Sequence, residues 1–463
     1  MIANSIRDSG KTILILGIDY VSAVLGTSIR EYGNSVLFWC PNSDLVEHYR
    51  SRGMVLDTVE NIDNYNFESV DFIILSQGLF FDDFGSSSNL LKKVKQTASK
   101  VFLAVEIVKI LFPENKFVAI FGRSCKNIIY SALSCIFSNS QTNITELPAF
   151  LTNDQNSDSE LDVGLNLQEN NIFVLDLTEN EINYLRDLSF DVIVILNLEK
   201  EEHIPVIRNL LTKQSNETTF IVNADNTMFK NFSDTFGLAD SNSVKTILIS
   251  VEKMIENGYS YVNSTIYNYC YSNLSYDIAN SGFIASNLNR LSVLSSFVVA
   301  NVFSLEPAAI IANLENFKGL AHNMEQIKQS KNITFVDNSG ANTLDLIESP
   351  FGMYSNIFVI FIASSKTGGD LVRLKNYRNN IRLSLLVDTF DTVGEHLEEF
   401  GSLRPEKVDS IKDALDKIAS YVAEENIEDE TIVILSPIFG DRMNSVHYSG
   451  SYGNEFKKLV EGL

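Results

Sequence analysis

Short apolar runs alternate with amphipathic segments along the chain. In the first third these runs predict strands at Thr12–Gly17, Ser35–Cys40, Asp71–Ser76 and Val101–Val105. The segment Val21–Tyr32, between the first two strands, is predicted to be a helix. Strands that alternate with helices are typical of a parallel sheet with both faces covered. The first third is therefore predicted to be a Rossmann-like α/β domain.

The same alternation returns in the rest of the chain. An amphipathic helix is predicted at Ser410–Glu425, where the apolar residues share one face, and a mostly apolar helix at Ser286–Phe303. Further strands are predicted at Ile172–Leu177, Val192–Leu196, Thr219–Asn223, Ile333–Val336, Ile357–Ile362, Leu383–Val387 and Ile432–Leu435. With seams near residues 105 and 315, the pattern indicates three α/β domains.

Length and composition are typical of a soluble globular protein. The 463 residues are enough for two to four domains that each bury a core. A net charge of −23 argues against a nucleic acid or an anionic membrane surface as the main partner. The sequence has no apolar stretch as long as a membrane span. We expect a monomer whose partners are small-molecule substrates.

Cysteine usage and the first residues predict a compartment. Cys40, Cys125, Cys135 and Cys270 are far apart and form no CxxC pair. This spacing disfavours a disulfide framework and a zinc site, and it fits a reducing environment. The first residues, MIANSIRDSGK, lack the apolar core of a signal peptide. We therefore expect a cytoplasmic protein.

A candidate nucleotide loop follows the apolar run Phe117–Phe121. Gly122 opens a short turn, Lys126 follows, and a helix-like stretch begins near Asn127. In a P-loop, backbone N–H groups cradle phosphates, a lysine reaches the terminal phosphates and a hydroxyl binds Mg²⁺. Here Cys125 replaces the second glycine of the loop, and Asn127 replaces the hydroxyl residue. Taken alone, the loop fits a nucleotide site, a degenerate one or a chance match.

The end of the first predicted strand carries a weaker nucleotide signal. Residues 17–22 read GIDYVS where a dinucleotide-binding fold has GxGxxG, and Gly17 is the one glycine of the stretch. The second predicted strand ends in Trp39 and Cys40 rather than in the acidic residue that would hold a ribose. The N-terminal domain is thus predicted to pack like a Rossmann fold without binding a dinucleotide.

A series of short motifs occurs in a recognisable order along the chain. They are Glu106, Phe121–Ile128 (FGRSCKNI), Asp176, Asn197-Leu198 followed by His203, Ile221–Asn226 (IVNADN), Phe317–Glu325 (FKGLAHNME), Asp337–Thr343 (DNSGANT), Lys366 with Asp370, Ile434–Pro437 (ILSP) and Tyr452–Phe456 (YGNEF). This order and spacing resemble those of the Mur ligases, in particular their D-glutamate-adding branch, over nearly the full length of the chain.

The resemblance implies a fold and a reaction. The implied fold has an N-terminal Rossmann-like domain at residues 1–105, a central P-loop-type ATPase α/β domain at 106–315 and a C-terminal Rossmann-like domain at 316–463. In the implied reaction, ATP phosphorylates the carboxylate of UDP-N-acetylmuramoyl-L-alanine, and the amine of D-glutamate attacks the acyl phosphate. ATP and Mg²⁺ are the implied cofactors. The implied role is peptidoglycan precursor synthesis, and with it cell-wall biogenesis, cell shape and cell division.

The resemblance also implies site residues. The catalytic candidates are Lys126, Asp176 and His203. The ATP-binding candidates are Gly122, Arg123, Ser124, Cys125, Lys126, Asn127, Ile128 and Asn338. The metal-binding candidates are Asn127, Asp176 and His203, and the substrate-binding candidates are Gly17, Lys366, Ser436 and Phe456. Structural alternatives stay open: a helix cap for Asp176, an exposed helix position for His203 and an inert small residue for Cys125.

The chain departs from the family at positions that carry its chemistry. The family's carbamylated lysine aligns with Leu210, and Lys213, three residues later on a neighbouring turn, could substitute only if the helix shifted. The family's NDSKATN aspartate and lysine become Asn338 and Gly340, and its adenylate-side arginine becomes Asn323. These losses leave a second hypothesis open. The chain would then be a weakly active or inactive relative that serves as a binding or scaffold protein.

Overall fold

The computed structural model describes most of the chain. The described residues are 2–51, 53–81, 87–96, 100–122, 126–140, 142–147, 167, 170–177, 179–186, 188–198, 203–229, 245–270, 273–278, 287–317, 319–341, 344–363, 374, 376–387, 403–438 and 446–463. They form three sheets with helices between the strands. The predicted α/β fold class is confirmed. No helix in these ranges is long and apolar enough to span a membrane.

The first sheet has five parallel strands in the order β3-β2-β1-β4-β5. The strands are β1 (Thr12–Leu16), β2 (Ser35–Trp39), β3 (Asp57–Thr58), β4 (Phe72–Leu75) and β5 (Val101–Leu103). The helices of this region are α1 (Ile2–Arg7), α2 (Tyr20–Glu31), α3 (Ser43–Ser51), α4 (Gly78–Phe81), α5 (Ser87–Gln96) and α6 (Ala104–Leu111). The order is Rossmann-like, with the apolar strand β1 buried at its centre.

The second sheet has nine strands in the order β14-β13-β12-β11-β10-β9-β6-β8-β7. The strands are β6 (Lys116–Phe121), β7 (Asn143–Leu147), β8 (Asn171–Asp176), β9 (Val192–Ile195), β10 (Thr219–Asn223), β11 (Lys245–Ser250), β12 (Gly258–Val262), β13 (Thr265–Asn268) and β14 (Leu274–Asp277). The helices are α7 (Lys126–Phe137), α8 (Glu179–Ile182), α9 (His203–Thr212), α10 (Asn287–Val302) and α11 (Pro307–Leu314). Pairing is parallel from β7 across to β12, and β13 and β14 continue the sheet antiparallel.

The third sheet has six strands in the order β15-β16-β20-β17-β18-β19. The strands are β15 (Glu325–Ser330), β16 (Ile333–Asp337), β17 (Ile357–Ala363), β18 (Ile381–Val387), β19 (Glu406–Val408) and β20 (Thr431–Ile438). The helices are α12 (Leu344–Met353), α13 (Ile411–Glu424) and α14 (Val446–Glu461). Only the edge pair β15 and β16 is antiparallel among these strands. The predicted helix at 410–425 is confirmed as α13, with Ser410 as its N-cap, whose Oγ accepts from Asp413 N at 3.1 Å.

The predicted seams at residues 105 and 315 fall between the sheets, but α6 joins the first two regions. This helix contacts α1 and α2, and Arg7 Nη2 donates to Leu111 O at 2.8 Å. Glu106, within α6, accepts from Leu103 N at 2.9 Å and from Arg186 N at 2.8 Å. One apolar core cluster accordingly runs from the first sheet into the second. The domain boundaries themselves stay a prediction.

Tyr261 of β12 gives a stability prediction. Its hydroxyl is buried and has no hydrogen-bond partner among the described residues, and burial raises its pKa to about 12, an effect that the Arg290 charge partly offsets. We expect Tyr261→Phe to raise the free energy of unfolding by about 1 kcal/mol, because an unpaired buried hydroxyl is removed. The matched control is Tyr259→Phe on the same strand, which loses the 2.9 Å bond to Asn301 Oδ1 and should destabilise.

The raised pKa of Tyr261 adds a pH dependence. The unfolded tyrosine ionises near pH 10 and the folded one near 12, so the unfolded state binds fewer protons in this window. The wild type should therefore lose about 1 kcal/mol more stability than Tyr261→Phe between pH 8 and pH 11. Urea unfolding at both pH values measures this, and equal losses in the two proteins would contradict it.

Candidate active site

The candidate site lies where the strand order of the second sheet reverses. β6 pairs with β8 on one side and with β9 on the other, so the chain moves to opposite sides of β6 as it continues. In open α/β sheets, ligands bind outside the carboxyl ends of the strands at such a point. The turn between β6 and α7 leaves the sheet there. Gly122, which opens the predicted nucleotide loop, thus lies where the fold favours a ligand.

Gly122 is held tightly at this point. Its φ is +141°, and a Cβ built on it would lie 2.5 Å from Asn197 Oδ1 and 3.1 Å from Leu196 Cβ. Leu196 N donates to Phe121 O at 2.9 Å, which fixes the segment after β9 beside the loop. Only glycine suits both the positive φ and this close approach. The first glycine of the loop is therefore required by the packing of β6 against β9.

Asp176 lies on the other side of β6. It ends β8 in register with Ile120, is half-buried, and is followed by Leu177, whose N–H donates to Ile120 O at 3.0 Å. Its carboxylate therefore stands at the carboxyl edge next to the loop. Mg²⁺ is commonly held by one or two carboxylates together with substrate phosphates and waters. A single carboxylate at this edge fits that requirement.

The ends of β9, β10 and β11 are tied together by the IVNADN stretch. Asn223 Nδ2 donates to Leu196 O at 2.9 Å, and Asn226 Nδ2 donates to Leu198 O at 3.2 Å. The Asp225 carboxylate accepts from Ser250 Oγ at 2.6 Å and from Val251 N at 2.7 Å. These bonds hold the rim of the candidate site rigid. They give the motif a structural role, which its composition alone did not indicate.

The other predicted site residues, in the loop and beyond it, are described only in part. Ile128 is buried in the core at the start of α7, whose first residues are Lys126 and Asn127. His203 begins α9, and its side chain, like those of Lys126 and Asn127, lies outside the description. Arg123, Ser124, Cys125 and Lys366 lie outside the described residues. Their predicted roles stay predictions.

Curated relatives with similar sequences are named UDP-N-acetylmuramoylalanine–D-glutamate ligase. The one from Nitrobacter hamburgensis is 22% identical over 487 aligned positions, which cover 98% of this chain and 97% of the relative. The one from Rickettsia bellii is 23% identical over 283 positions, 57% of this chain and 60% of the relative. The chain thus spans less than two thirds of the Rickettsia bellii relative. No family model matches the chain.

Solved structures agree on the fold. UDP-N-acetylmuramate-alanine ligase MurC from Thermotoga maritima aligns with a TM-score of 0.56 and 15% identity, over 98% of this chain and 100% of that one. MurF from Acinetobacter baumannii aligns with a TM-score of 0.54 and 12% identity, over 98% of this chain and 91% of that one. The chain thus has the fold of the Mur ligases and is similar in sequence, over nearly its full length, to a relative named as one of them.

Lys213 lies away from the candidate site. α9 begins near the carboxyl edge and runs back, so its ten residues carry the chain about 15 Å toward the opposite edge. There Lys213 Nζ donates to Leu185 O, and Phe190 N, just before β9, donates to Gln214 Oε1 at 2.9 Å. The suggestion that Lys213 replaces the family's carbamylated lysine is therefore wrong. Leu210, which aligns with that lysine, is fully buried.

Three further predicted residues are buried in the described part of the chain. Asn338 Oδ1 accepts from Met324 N at 3.2 Å, Ser436 is fully buried in β20, and Phe456 packs 6.5 Å from the Phe335 ring, between ring centroids. These placements give each residue a packing or bridging role. Contact with ATP or a substrate stays a prediction for all three.

A charged cluster joins residues from the beginning and the end of the third region, and three of its four residues lie in the motifs found in the sequence. His322 Nδ1 lies 2.7 Å from Asp337 Oδ2, and His322 N donates to Glu325 Oε2 at 2.8 Å. Lys457 Nζ of α14 pairs with Glu325 Oε2 at 2.7 Å. His322, Glu325 and Asp337 have the donor types and spacing of a metal site. Glu325 is already paired with Lys457, and the Asp337 carboxylate faces the His322 ring.

Gly453 lets α14 approach this cluster. A Cβ at this position would lie 2.6 Å from Asp337 Oδ2 and as close or closer to His322 Nδ1 and Ser339 Oγ. The helix backbone therefore packs directly against the half-buried His322 and the buried Asp337. This contact explains the glycine of the YGNEF motif. No pattern local to α14 predicts it, because the partners lie more than a hundred residues earlier in the chain.

Proposed function

We propose that this protein is an ATP-dependent Mur ligase that adds D-glutamate to UDP-N-acetylmuramoyl-L-alanine in peptidoglycan precursor synthesis. The observation that carries the proposal is the loop after β6 at the reversal point of the second sheet, beside the Asp176 carboxylate. The full-length alignment with a ligase of that name supports the choice of substrates. The peptidoglycan role places the protein in the cytoplasm.

The residues at the reversal point fit ATP and Mg²⁺. In the proposed site, the Gly122 turn and the first N–H groups of α7 hold phosphate, because a helix N-terminus favours anions. Lys126, at the first position of α7, neutralises the terminal phosphates, and Asp176 holds Mg²⁺. Bound Mg²⁺ supplies charge neutralisation for phosphoryl transfer. The protein's share of the catalysis is positioning and electrostatic stabilisation, and the reaction leaves an amide and inorganic phosphate.

Phosphate release tests the proposal. With ATP, Mg²⁺, UDP-N-acetylmuramoyl-L-alanine and D-glutamate, the wild type should release phosphate, and omission of either substrate should stop the release. Lys126→Ala should lower the rate about 100-fold or more, the size of effect seen when one preorganised charge-stabilising donor is lost. The matched control is Lys116→Ala, which removes the same charge at the opposite end of β6, where Lys116 pairs with Asp191 at 3.1 Å. Wild-type release no higher than that of Lys126→Ala would refute the enzyme.

The substrate panel separates the members of the family. UDP-N-acetylmuramate with L-alanine is the matched alternative, since MurC, which shares this fold, is named for that addition. We expect phosphate release with D-glutamate and its acceptor to exceed release with L-alanine and its acceptor. The reverse preference would keep the ligase and reject the proposed substrates.

A second candidate, a non-catalytic binding or scaffold protein, is favoured by one observation. Leu210 is fully buried where the family has its carbamylated lysine, and Lys213 is engaged at the far edge of the sheet. Neither position thus supplies a lysine for that role. Calorimetry with Mg-ATP discriminates the two functions: micromolar binding favours the ligase, and failure to bind favours the scaffold.

A further inference from the structure

The N-terminus of α2 already holds an anion, and it comes from the chain itself. Asp19 is 1% exposed and is the N-cap of α2. Its Oδ1 accepts from Ser22 N at 2.7 Å, and its Oδ2 accepts from Ser76 Oγ at 2.5 Å and from Gly78 N at 3.1 Å. Donors from the segments after β1 and after β4 thus converge on one buried carboxylate.

This position is the reversal point of the first sheet. β1 lies between β2 and β4, so the crevice between the segments after β1 and β4 is where a Rossmann-like fold places a ligand. Phosphates in such folds sit at the N-terminus of the first helix, against backbone N–H groups. The Asp19 carboxylate occupies the place that this geometry offers to a phosphate.

The two residues that replace the glycines of a GxGxxG loop act as a pair. Asp19 and Ser22 stand at its second and third glycine positions. Besides the bond from Ser22 N, Asp19 N donates to Ser22 Oγ at 2.9 Å, which completes a capping box. In a dinucleotide fold the second glycine lets the backbone approach the pyrophosphate. Here the backbone N–H groups of Asp19 and Ser22 donate to each other's side chains instead.

The rest of the crevice keeps features of a ligand site. Gly17 has φ +80°, and a Cβ there would lie 2.9 Å from Leu79 Cβ, so the segments after β1 and β4 touch. Gln77, between the donors Ser76 and Gly78 in sequence, is 1% exposed, and neither Nε2 nor Oε1 has a partner in the described part of the chain. A buried amide with both polar atoms unpaired is rare in a finished core and is typically completed by a ligand or water.

We propose that Asp19 is an internal anion that competes with a diphosphate for the donors of this crevice, and so lowers the affinity of the chain for uridine diphosphate nucleotides. The identity of the nucleotide rests on the proposed function. Two anions cannot share Ser22 N, Ser76 Oγ and Gly78 N, and at such close range in a buried site they repel. A bound diphosphate therefore requires the Asp19 side chain to leave its cap.

Calorimetric titration with UDP, without ATP or amino acid, tests the proposal on the full chain. Asp19→Gly restores the second glycine and should bind UDP at least tenfold more tightly than the wild type. Asp19→Asn keeps a good helix cap while removing the charge, and should lie between the two. The matched control is Asp71→Gly at the opposite edge of the same sheet, where Asp71 Oδ2 accepts from Thr12 N at 2.9 Å. Its affinity for UDP should equal that of the wild type.

Trp39, at the end of β2, provides the folding check, because Gly17 N donates to Trp39 O at 2.8 Å beside the crevice. If Asp19→Gly loses the native Trp39 fluorescence, the UDP affinity of Asp19→Asn is compared with that of the wild type instead. Equal UDP affinities in the wild type and the folded Asp19 variants, including no binding by any of them, would overturn the proposal. An equal gain in Asp71→Gly would also overturn it, since the effect would then be one of net charge. If the Asp19 variants bind UDP more tightly but the wild type releases no phosphate, only the proposed ligase activity is contradicted. If the wild type releases phosphate but the Asp19 variants bind UDP no more tightly, only the present proposal is contradicted.

Discussion

Gly453→Ala is expected to lower the free energy of unfolding by about 2–3 kcal/mol, as overpacking of a tight interior does. The new Cβ would overlap Asp337 Oδ2, His322 Nδ1 and Ser339 Oγ. α14 must then move away, and the pair between Lys457 and Glu325 opens with it. Hydrogen exchange followed by mass spectrometry should show lost protection in α14 and in β15 and β16.

Two comparisons make the Gly453 result specific. Gly462→Ala is the matched control, because position 462 is exposed just beyond α14 and its Cβ would make only ordinary contacts of 3.4 Å or more. It should change stability by less than about 0.5 kcal/mol. Trp39, the one tryptophan of the chain, lies in the first sheet, so its unfolding midpoint should stay unchanged in both variants. Equal protection of α14 in Gly453→Ala and the wild type would refute the packing role.

Gly122→Ala should destabilise the second sheet by about 1–3 kcal/mol, the range for a residue held in a disfavoured backbone conformation. The φ of +141° and the approach of Asn197 Oδ1 act together here. If the loop holds phosphate as proposed, Mg-ATP affinity should fall as well, since the first turn of α7 moves with the loop. Urea unfolding followed by far-UV circular dichroism and calorimetry with Mg-ATP measure the two effects.

Gly10→Ala separates backbone strain from crowding at Gly122. Gly10 has φ +86°, but no heavy atom of the described chain lies within 4 Å of the Cβ position. In Gly10→Ala the free energy of unfolding should fall only by the cost of the positive φ, about 1 kcal/mol. The same loss in both variants would mean that the contact with Asn197 contributes nothing, and that the loop is not held against β9.

The sequence was sufficient for the strands whose apolar runs are buried on both faces. β1, β6 and β17 are of this kind, and their predicted bounds agree with the structure within one residue. β15, with the sequence EQIKQS, was not predicted because an edge strand has few buried positions and its polar residues carry no alternation. Edge pairing depends on a neighbour that local sequence does not reveal.

The candidate site was predictable where a residue stands at the carboxyl end of an apolar strand. The turn at Gly122 and the carboxylate of Asp176 were found because each directly follows an apolar run. Lys213 was misjudged because sequence distance along a helix does not say which edge of the sheet the helix end reaches. The bonds of Asp19 to Ser76 and Gly78 were not predicted, since these donors lie in the segment after β4, more than fifty residues later.

The pairing of β6 has a consequence for the nascent chain. The first sheet is complete once Leu103 has been synthesised, because all five of its strands precede that residue. β6 follows after α6, yet its two neighbouring strands, β8 and β9, end only at residues 176 and 195. β6 is therefore synthesised before either of the strands that it pairs with. An unpaired apolar strand of this kind is prone to misassembly. Its high contact order means that the segment bearing the nucleotide loop is made early and becomes ordered late.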